Sequence, residues 1–171
     1  MEEIMTSVQT ILHPTNFSHC ADKAFRAACS LARGWDAQLV VLHVLEPVRP
    51  FGEAITVALF SPPKRDRWEA LHRLRMREPD VPIGPVMRRG APARVILDVA
   101  REVPCDLIVM GVPRRAEEAL SALSGVAAEV VGKALCPAFT LTVPRTTGST
   151  DTRPAIEPGI TRVRREPRGV R

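Results

Sequence analysis

The sequence predicts an α/β fold: an open, doubly wound, five-stranded parallel sheet with helices on both faces. Three observations carry this. "AQLVVLHVLEP" (37–47) and "CDLIVMG" (105–111) are unbroken apolar runs of strand length, the pattern of strands covered by helices on both sides. Between such runs, apolar residues recur at spacings of three and four, the period of helices that bury one stripe. Strand and helix signals then alternate along the domain, and alternation with right-handed crossovers gives a parallel sheet flanked by helices.

Each element has its own justification. "SVQTILHPTNFS" (7–18) opens with a short strand that ends at Pro14, which lacks the amide a ladder needs. Ala21, Ala24, Phe25, Ala28, Leu31 and Ala32 form the first helical stripe, which stops near Gly34. The run 37–47 is the second strand, and the proline-bounded, aperiodic residues 48–63 read as a loop. "KRDRWEALHRLRMREPD" (64–80) is a short charged helix with Trp68, Leu71, Leu74 and Met76 on one side. A weaker strand covers Ile83 to Arg88. Pro92 suits the first turn of a third helix, whose stripe is Val95, Ile96, Val99 and Ala100. "CDLIVMG" is the fourth strand. Val126, Ala127, Val130, Val131 and Ala134 line the last helix, and "CPAFTLTVP" (136–144) closes as the last strand.

The 171 residues, 45 % of them hydrophobic, suffice for one domain over 1–144 with a sizeable core. No apolar run approaches the length of a membrane span. "MEEIMTSVQT" begins with two acids and lacks a basic stretch followed by an apolar one, so a secretory signal is not expected and a cytoplasmic location is. The net charge of +5 is uneven. From Arg145 onward seven arginines (145, 153, 162, 164, 165, 168, 171) face three acids (Asp151, Glu157, Glu166), a surplus of four. Residues 145–171 are therefore a basic tail, rich in Thr, Gly and Pro and expected to be disordered. "RVRREPRGVR" has no aromatic residue for base stacking, so a specific nucleic-acid role is not expected.

Cys20, Cys29, Cys105 and Cys136 form no CxxC pair and sit singly in apolar segments, which favours buried thiols over a disulfide framework or a zinc site. His13, His19 and Cys20 are close in sequence, but His13 lies on a strand and the other two follow it, with no further ligand at metal-site spacing. The chain has no G-x-S-x-G, Walker or H-E-x-x-H motif, so no catalytic residues are assigned and an enzyme is not expected. Ligands of doubly wound sheets bind beyond the carboxyl ends of the strands, where strand order reverses. By position, "HPTNFS" after the first strand and "GVPRR" after the fourth qualify.

"ILHPTNFS", "LVVLHVLEP", "GAPARVILDVA", "CDLIVMG" and "ALCPAFTLTV", in that order, resemble the universal stress protein (UspA-like) family across positions 8–143. The resemblance implies an adenine nucleotide alpha hydrolase-like fold. It also implies a stress-response role, and a homodimer formed through the last strand, Ala138 to Val143. Nucleotide binders of the family carry glycine, two residues, glycine, nine residues, then glycine with Ser or Thr. On this chain those positions hold Gly111, Arg114 and an inverted Ser124-Gly125. Arg114 restores a Cβ where the pattern has none, and Ser124 reads as an N-cap for the helix beginning near Val126. In the first loop Asn16 stands where binders usually have aspartate. It keeps a hydrogen-bonding carbonyl but loses the charge.

The expectation is a non-catalytic regulatory domain with weak or no ATP binding and no resident cofactor. The alternative is an ATP or AMP switch with a modified phosphate loop between Gly111 and Gly125. The nucleotide would then meet Pro14, Thr15, Asn16 and Val44 at base and ribose. Met110, Gly111, Arg114, Arg115, Ser124, Gly125 and Val126 would lie near the phosphates, and Arg88, Arg89 and Arg115 would add positive field if they converge.

Overall fold

The computed structural model describes residues 7–47, 64–114 and 125–144, with only the backbone of Arg114, Val143 and Pro144. The predicted loop at 48–63 and the basic tail lie outside the described residues. The elements run β1 (Thr10–Thr15), α1 (His19–Trp35), β2 (Gln38–Leu45), α2 (Lys64–Arg77), β3 (Ile83–Arg89), α3 (Pro92–Glu102), β4 (Leu107–Arg114), α4 (Val126–Lys133) and β5 (Ala138–Pro144). All pairings are parallel, in the order β3-β2-β1-β4-β5. The chain winds outward from β1 to β3, then crosses back to lay β4 on the other side of β1. The reversal of strand order therefore falls between β1 and β4.

Strand side chains alternate between faces, and both faces are apolar. Ile11, Leu39, Val41, Ile83 and Val109 pack with Phe25, Ala28 and Leu71 beneath α1 and α2. Leu12, Val40, Leu42, Ile108 and Met110 pack with Ile96, Leu97 and Val130 beneath α3 and α4. Small residues Ala21, Ala24, Ala28 and Ala32 let α1 lie close to the sheet, with Phe25 as its one large buried side chain. Across the surface, Arg77 donates to Asp22 at 2.8 Å and Arg33 pairs with Glu78, fastening α1 to the end of α2.

The structure corrects several boundaries. β1 continues through Pro14, in register with Leu42, to Thr15. α1 passes Gly34 and ends at Asp36, whose φ of 54° is left-handed, a conformation aspartate tolerates better than most residues. β3 extends to Arg89. In α2 only Leu71 and Leu74 are buried, whereas Trp68 is 41 % and Met76 78 % exposed. At 100° per residue Met76 stands about 160° around the helix from Leu74, so one narrow stripe cannot hold both. α3 starts at Pro92 and buries Ala93, Ile96, Leu97 and Val99, leaving the predicted Val95 and Ala100 half-buried. Val126 and Val131 of α4 are likewise more than a third exposed.

Candidate functional site

The β1–β4 ladder is short. Described pairings are Ile11 with Leu107 and Leu12 with Ile108, although β1 runs three residues further and β4 six. Beyond Leu12 the two strands are bridged by a side chain: His13 Nδ1 lies 2.9 Å from the carbonyl of Val109. Further along, the first turn of α1 meets β4. A Cβ on Gly111 would overlap the carbonyl of Cys20 and come within 2.9 Å of the amide nitrogen of Ala21. Glycine at position 111 thus lets a helix backbone rest directly on a strand backbone.

The loop leaving β1 is tied to itself. The Thr15 hydroxyl accepts the amide of Phe17 at 3.1 Å, and Asn16 Oδ1 accepts the amide of Ser18 at 3.1 Å. Ser18 then caps α1, its hydroxyl accepting from Ala21 at 3.3 Å. Phe17 adopts φ 61° at the apex. Asn16 is exposed, and one of its carbonyl lone pairs serves this turn. Thr15 is 7 % exposed, and its backbone carbonyl accepts from His43 Nδ1 at 2.8 Å.

His43 escaped the sequence reading. With Nδ1 donating to Thr15, its Nε2 accepts from Arg67 of α2 at 3.1 Å, and its ring packs 4.6 Å from that of Phe17. One chain of contacts therefore holds α2 to the carboxyl ends of β1 and β2. The available sequence signal was a histidine inside an apolar strand, which by itself reads as core. Burial lowers the His43 pKa and the Arg67 guanidinium lowers it further, against the Thr15 carbonyl and Glu46. Burial pushes His13 down to about 4, against the Val109 carbonyl and Asp22. Both imidazoles are neutral at pH 7. His43 Nε2 is engaged by Arg67, and His13 Nε2 is buried without a hydrogen-bond partner.

Pro14 and Thr15 end β1 and Asn16 follows them, Val44 lies near the end of β2, and Met110 and Gly111 lie on β4 at the same end of the sheet, where the reversal of strand order between β1 and β4 leaves a crevice. Val44 and Met110 belong to the apolar face under α3 and α4, and Gly111 touches α1 on the other side. Gly111 and Arg114 are strand residues, in register with Leu141 and Pro144, rather than members of a loop after β4. α4 begins at Val126 with Gly125 as its N-cap at φ 71°, ψ −134°, which corrects the assignment of that role to Ser124. Ser124 and Arg115 lie outside the described residues. Arg88 and Arg89 end β3, three strand spacings or roughly 14 Å from β4, and Arg88 pairs with Glu102 at 3.4 Å. They do not converge on the β4 end. His13 is buried against Phe25 and His19 starts α1 exposed. Among the described residues no group of three His, Cys, Asp or Glu could hold a metal ion. No described helix is long and apolar enough to cross a membrane.

Comparison with known proteins agrees with this architecture. A universal stress protein of Methanocaldococcus jannaschii is 29 % identical over 141 residues, covering 79 % of this chain and 82 % of that protein. The structure of universal stress protein UspA from Lactobacillus plantarum superposes with a TM-score of 0.65 at 23 % identity, covering 78 % of this chain and 97 % of that one. A universal stress family protein from Arabidopsis thaliana with AMP bound superposes with a TM-score of 0.56 at 20 % identity, covering 86 % and 98 %. Residues 7–141 match the Universal stress protein family, and the chain belongs to that family.

Proposed function

We propose that this chain is a non-catalytic regulatory domain of the stress response, acting in the cytoplasm as a homodimer and binding ATP weakly or not at all. The observation that carries this reading is the position of Gly111 and Arg114. Both continue β4 in register with β5, so the turn that would aim successive amides at a phosphate does not start there. Gly111 also has a packing reason to be glycine that requires no ligand. The absence of catalysis is supported by the two histidines near the crevice. One nitrogen of each is bonded to a backbone carbonyl, and the other is either held by Arg67 or buried. The dimer is supported by β5, an edge strand on which Phe139 is 47 % exposed.

Calorimetry with ATP on the purified chain tests the nucleotide half of the proposal. Dissociation constants weaker than millimolar support it, and micromolar binding overturns it. Light scattering after size exclusion at tens of micromolar tests the dimer, which a purely monomeric result overturns.

A second reading is favoured by the grouping of Pro14, Thr15, Val44, Met110 and Gly111 at one end of the sheet, and by the AMP held by the Arabidopsis relative. In it, adenosine monophosphate occupies the crevice, with Arg114, Arg115, Ser124, Gly125 and Val126 on its phosphate side. A single phosphate requires fewer amide contacts than a triphosphate. Micromolar binding of AMP alongside weak ATP binding distinguishes this reading from the first.

A further inference from the structure

At the amino end of the sheet, opposite the crevice, two of the thiols meet. Cys105 Sγ and Cys136 Sγ lie 3.3 Å apart, although the residues are 31 apart in sequence. Each stands just before a strand, and those strands are neighbours. The amide of Ile108 donates to the carbonyl of Pro137 at 2.9 Å, and Ile108 is in register with Ala138. On its other side Asp106 binds β1: its carboxylate accepts the amides of Gln9 and Thr10 at 2.9 Å, and its own amide donates to Thr10. The backbone on both sides of the thiol pair is thus fixed by ladder-type hydrogen bonds. A disulfide spans about 2.05 Å, so the sulfurs need to approach by only about 1.2 Å.

We propose that Cys105 and Cys136 are a reversible oxidation site that closes into an intramolecular disulfide on reaction with a peroxide. A groove of about 310 Å³ reaches both residues and is lined also by Leu97, Arg101, Asp106 and Lys133. The oxidant meets Cys136 first, because Cys136 is half-buried and Cys105 only 8 % exposed. Burial, with Cys136 beside it, pushes the Cys105 thiol up to about 12. Cys105 therefore keeps its proton at neutral pH and can donate it toward the Cys136 sulfur. The Cys136 sulfur attacks one oxygen of hydrogen peroxide. The O–O bond breaks, hydroxide leaves and takes up the Cys136 proton as water, and Cys136 becomes a sulfenic acid. The Cys105 sulfur then attacks the Cys136 sulfur. An S–S bond forms, the S–O bond breaks, and hydroxide departs with the Cys105 proton as a second water. Two thiols and one peroxide give one disulfide and two waters, with two electrons passing from sulfur to oxygen. The bond staples the α3–β4 joint to the α4–β5 joint without touching the crevice.

Trypsin makes the test direct, because Glu102–Arg114 and Ala134–Arg145 each contain one cysteine. The reduced full-length chain is treated with hydrogen peroxide, alkylated and mapped by mass spectrometry without reduction. The expected result is one linked pair of these peptides, two hydrogens lighter than their sum and separated by dithiothreitol. The link persists in Cys20→Ser and is absent from Cys136→Ser. The oxidised chain melts roughly 5–10 °C higher, as a loop of this length implies. Recovery of both peptides as alkylated free thiols overturns the proposal. So does a link only between two copies of the chain, or over-oxidation of Cys136 with Cys105 untouched.

Discussion

Gly111 of β4 lies against the carbonyl of Cys20 in the first turn of α1 so closely that a single added carbon would overlap it. Both partners are backbone, so no side chain can rotate away, and α1 would have to lift from the sheet. That face carries Phe25, Ala28 and Val109, all fully buried. Gly111→Ala is therefore expected to cost about 3 kcal/mol, toward the upper end for overpacking. Urea unfolding followed by circular dichroism measures it. A loss below about 0.5 kcal/mol would mean that the helix yields freely at this point.

Two glycines at helix ends, Gly34 and Gly125, make opposite predictions. Gly34 is inside α1 with nothing within 4 Å of an added Cβ, so Gly34→Ala should stabilise by roughly 0.5–1 kcal/mol. Gly125 also has open space around it, but its φ of 71° with ψ −134° is strained for any residue with a Cβ. Gly125→Ala should therefore destabilise by about 1–3 kcal/mol. Thermal melts of the two variants should shift in opposite directions, and melts that shift together would refute the backbone argument at one of the two sites.

What was legible in the sequence follows from which interactions are local. The strands were legible because "LVVL" and "LIVM" are apolar on both faces, and parallel strands between helices leave no polar face to confuse the period. Ends were less so: glycine at position 34 signalled a stop, yet the helix needed two more residues to reach the turn at Asp36. The spacing from Gly111 to Gly125 pointed to β4 and the start of α4. Whether Gly111 begins a loop or continues β4 depends on pairing with β5, about 30 residues away, which no local pattern records. The Arg67–His43 and Cys105–Cys136 contacts were out of reach for the same reason, since tertiary packing alone brings those residues together.

α2 is held to the sheet by a narrow stripe. Leu71 is fully buried against the core shared with α1, and Leu74 is nearly so. Leu71→Ala should cost about 2–5 kcal/mol, whereas Met76→Ala, at a residue 78 % exposed, should change stability by less than about 0.5 kcal/mol. Chemical denaturation of the two variants side by side checks this. Similar losses for both would mean that α2 presents a wider face than the one described.

His13 gives the fold an acid-sensitive element. Its ring is buried beside Phe25, 5.9 Å between centroids, with Nδ1 donating to Val109 and Nε2 unpartnered. Its pKa falls from 6.5 to about 4, chiefly because burial penalises the charged form. In the unfolded chain the ring takes up its proton near pH 6.5, whereas the folded protein resists until about pH 4. Across that window the unfolded state binds the extra proton, so its contribution is fully present above pH 6.5 and is lost as pH falls toward 4. The gap corresponds to about 3 kcal/mol. Asp22, whose pKa is lowered by Arg77 and Arg26 against the burial that raises it, acts in the same sense but at lower pH. His43 is shifted in the same direction as His13, so wild type alone does not isolate either histidine. The useful quantity is the stability of wild type minus that of His13→Met, measured by urea unfolding at half-unit steps from pH 7.5 to 4. It should be positive at pH 7, where the bond to Val109 is intact, and should shrink steadily below pH 6.5 as the wild type alone pays for keeping this ring neutral. A difference that stays constant over that interval would show that His13 does not set the acid limit of the fold.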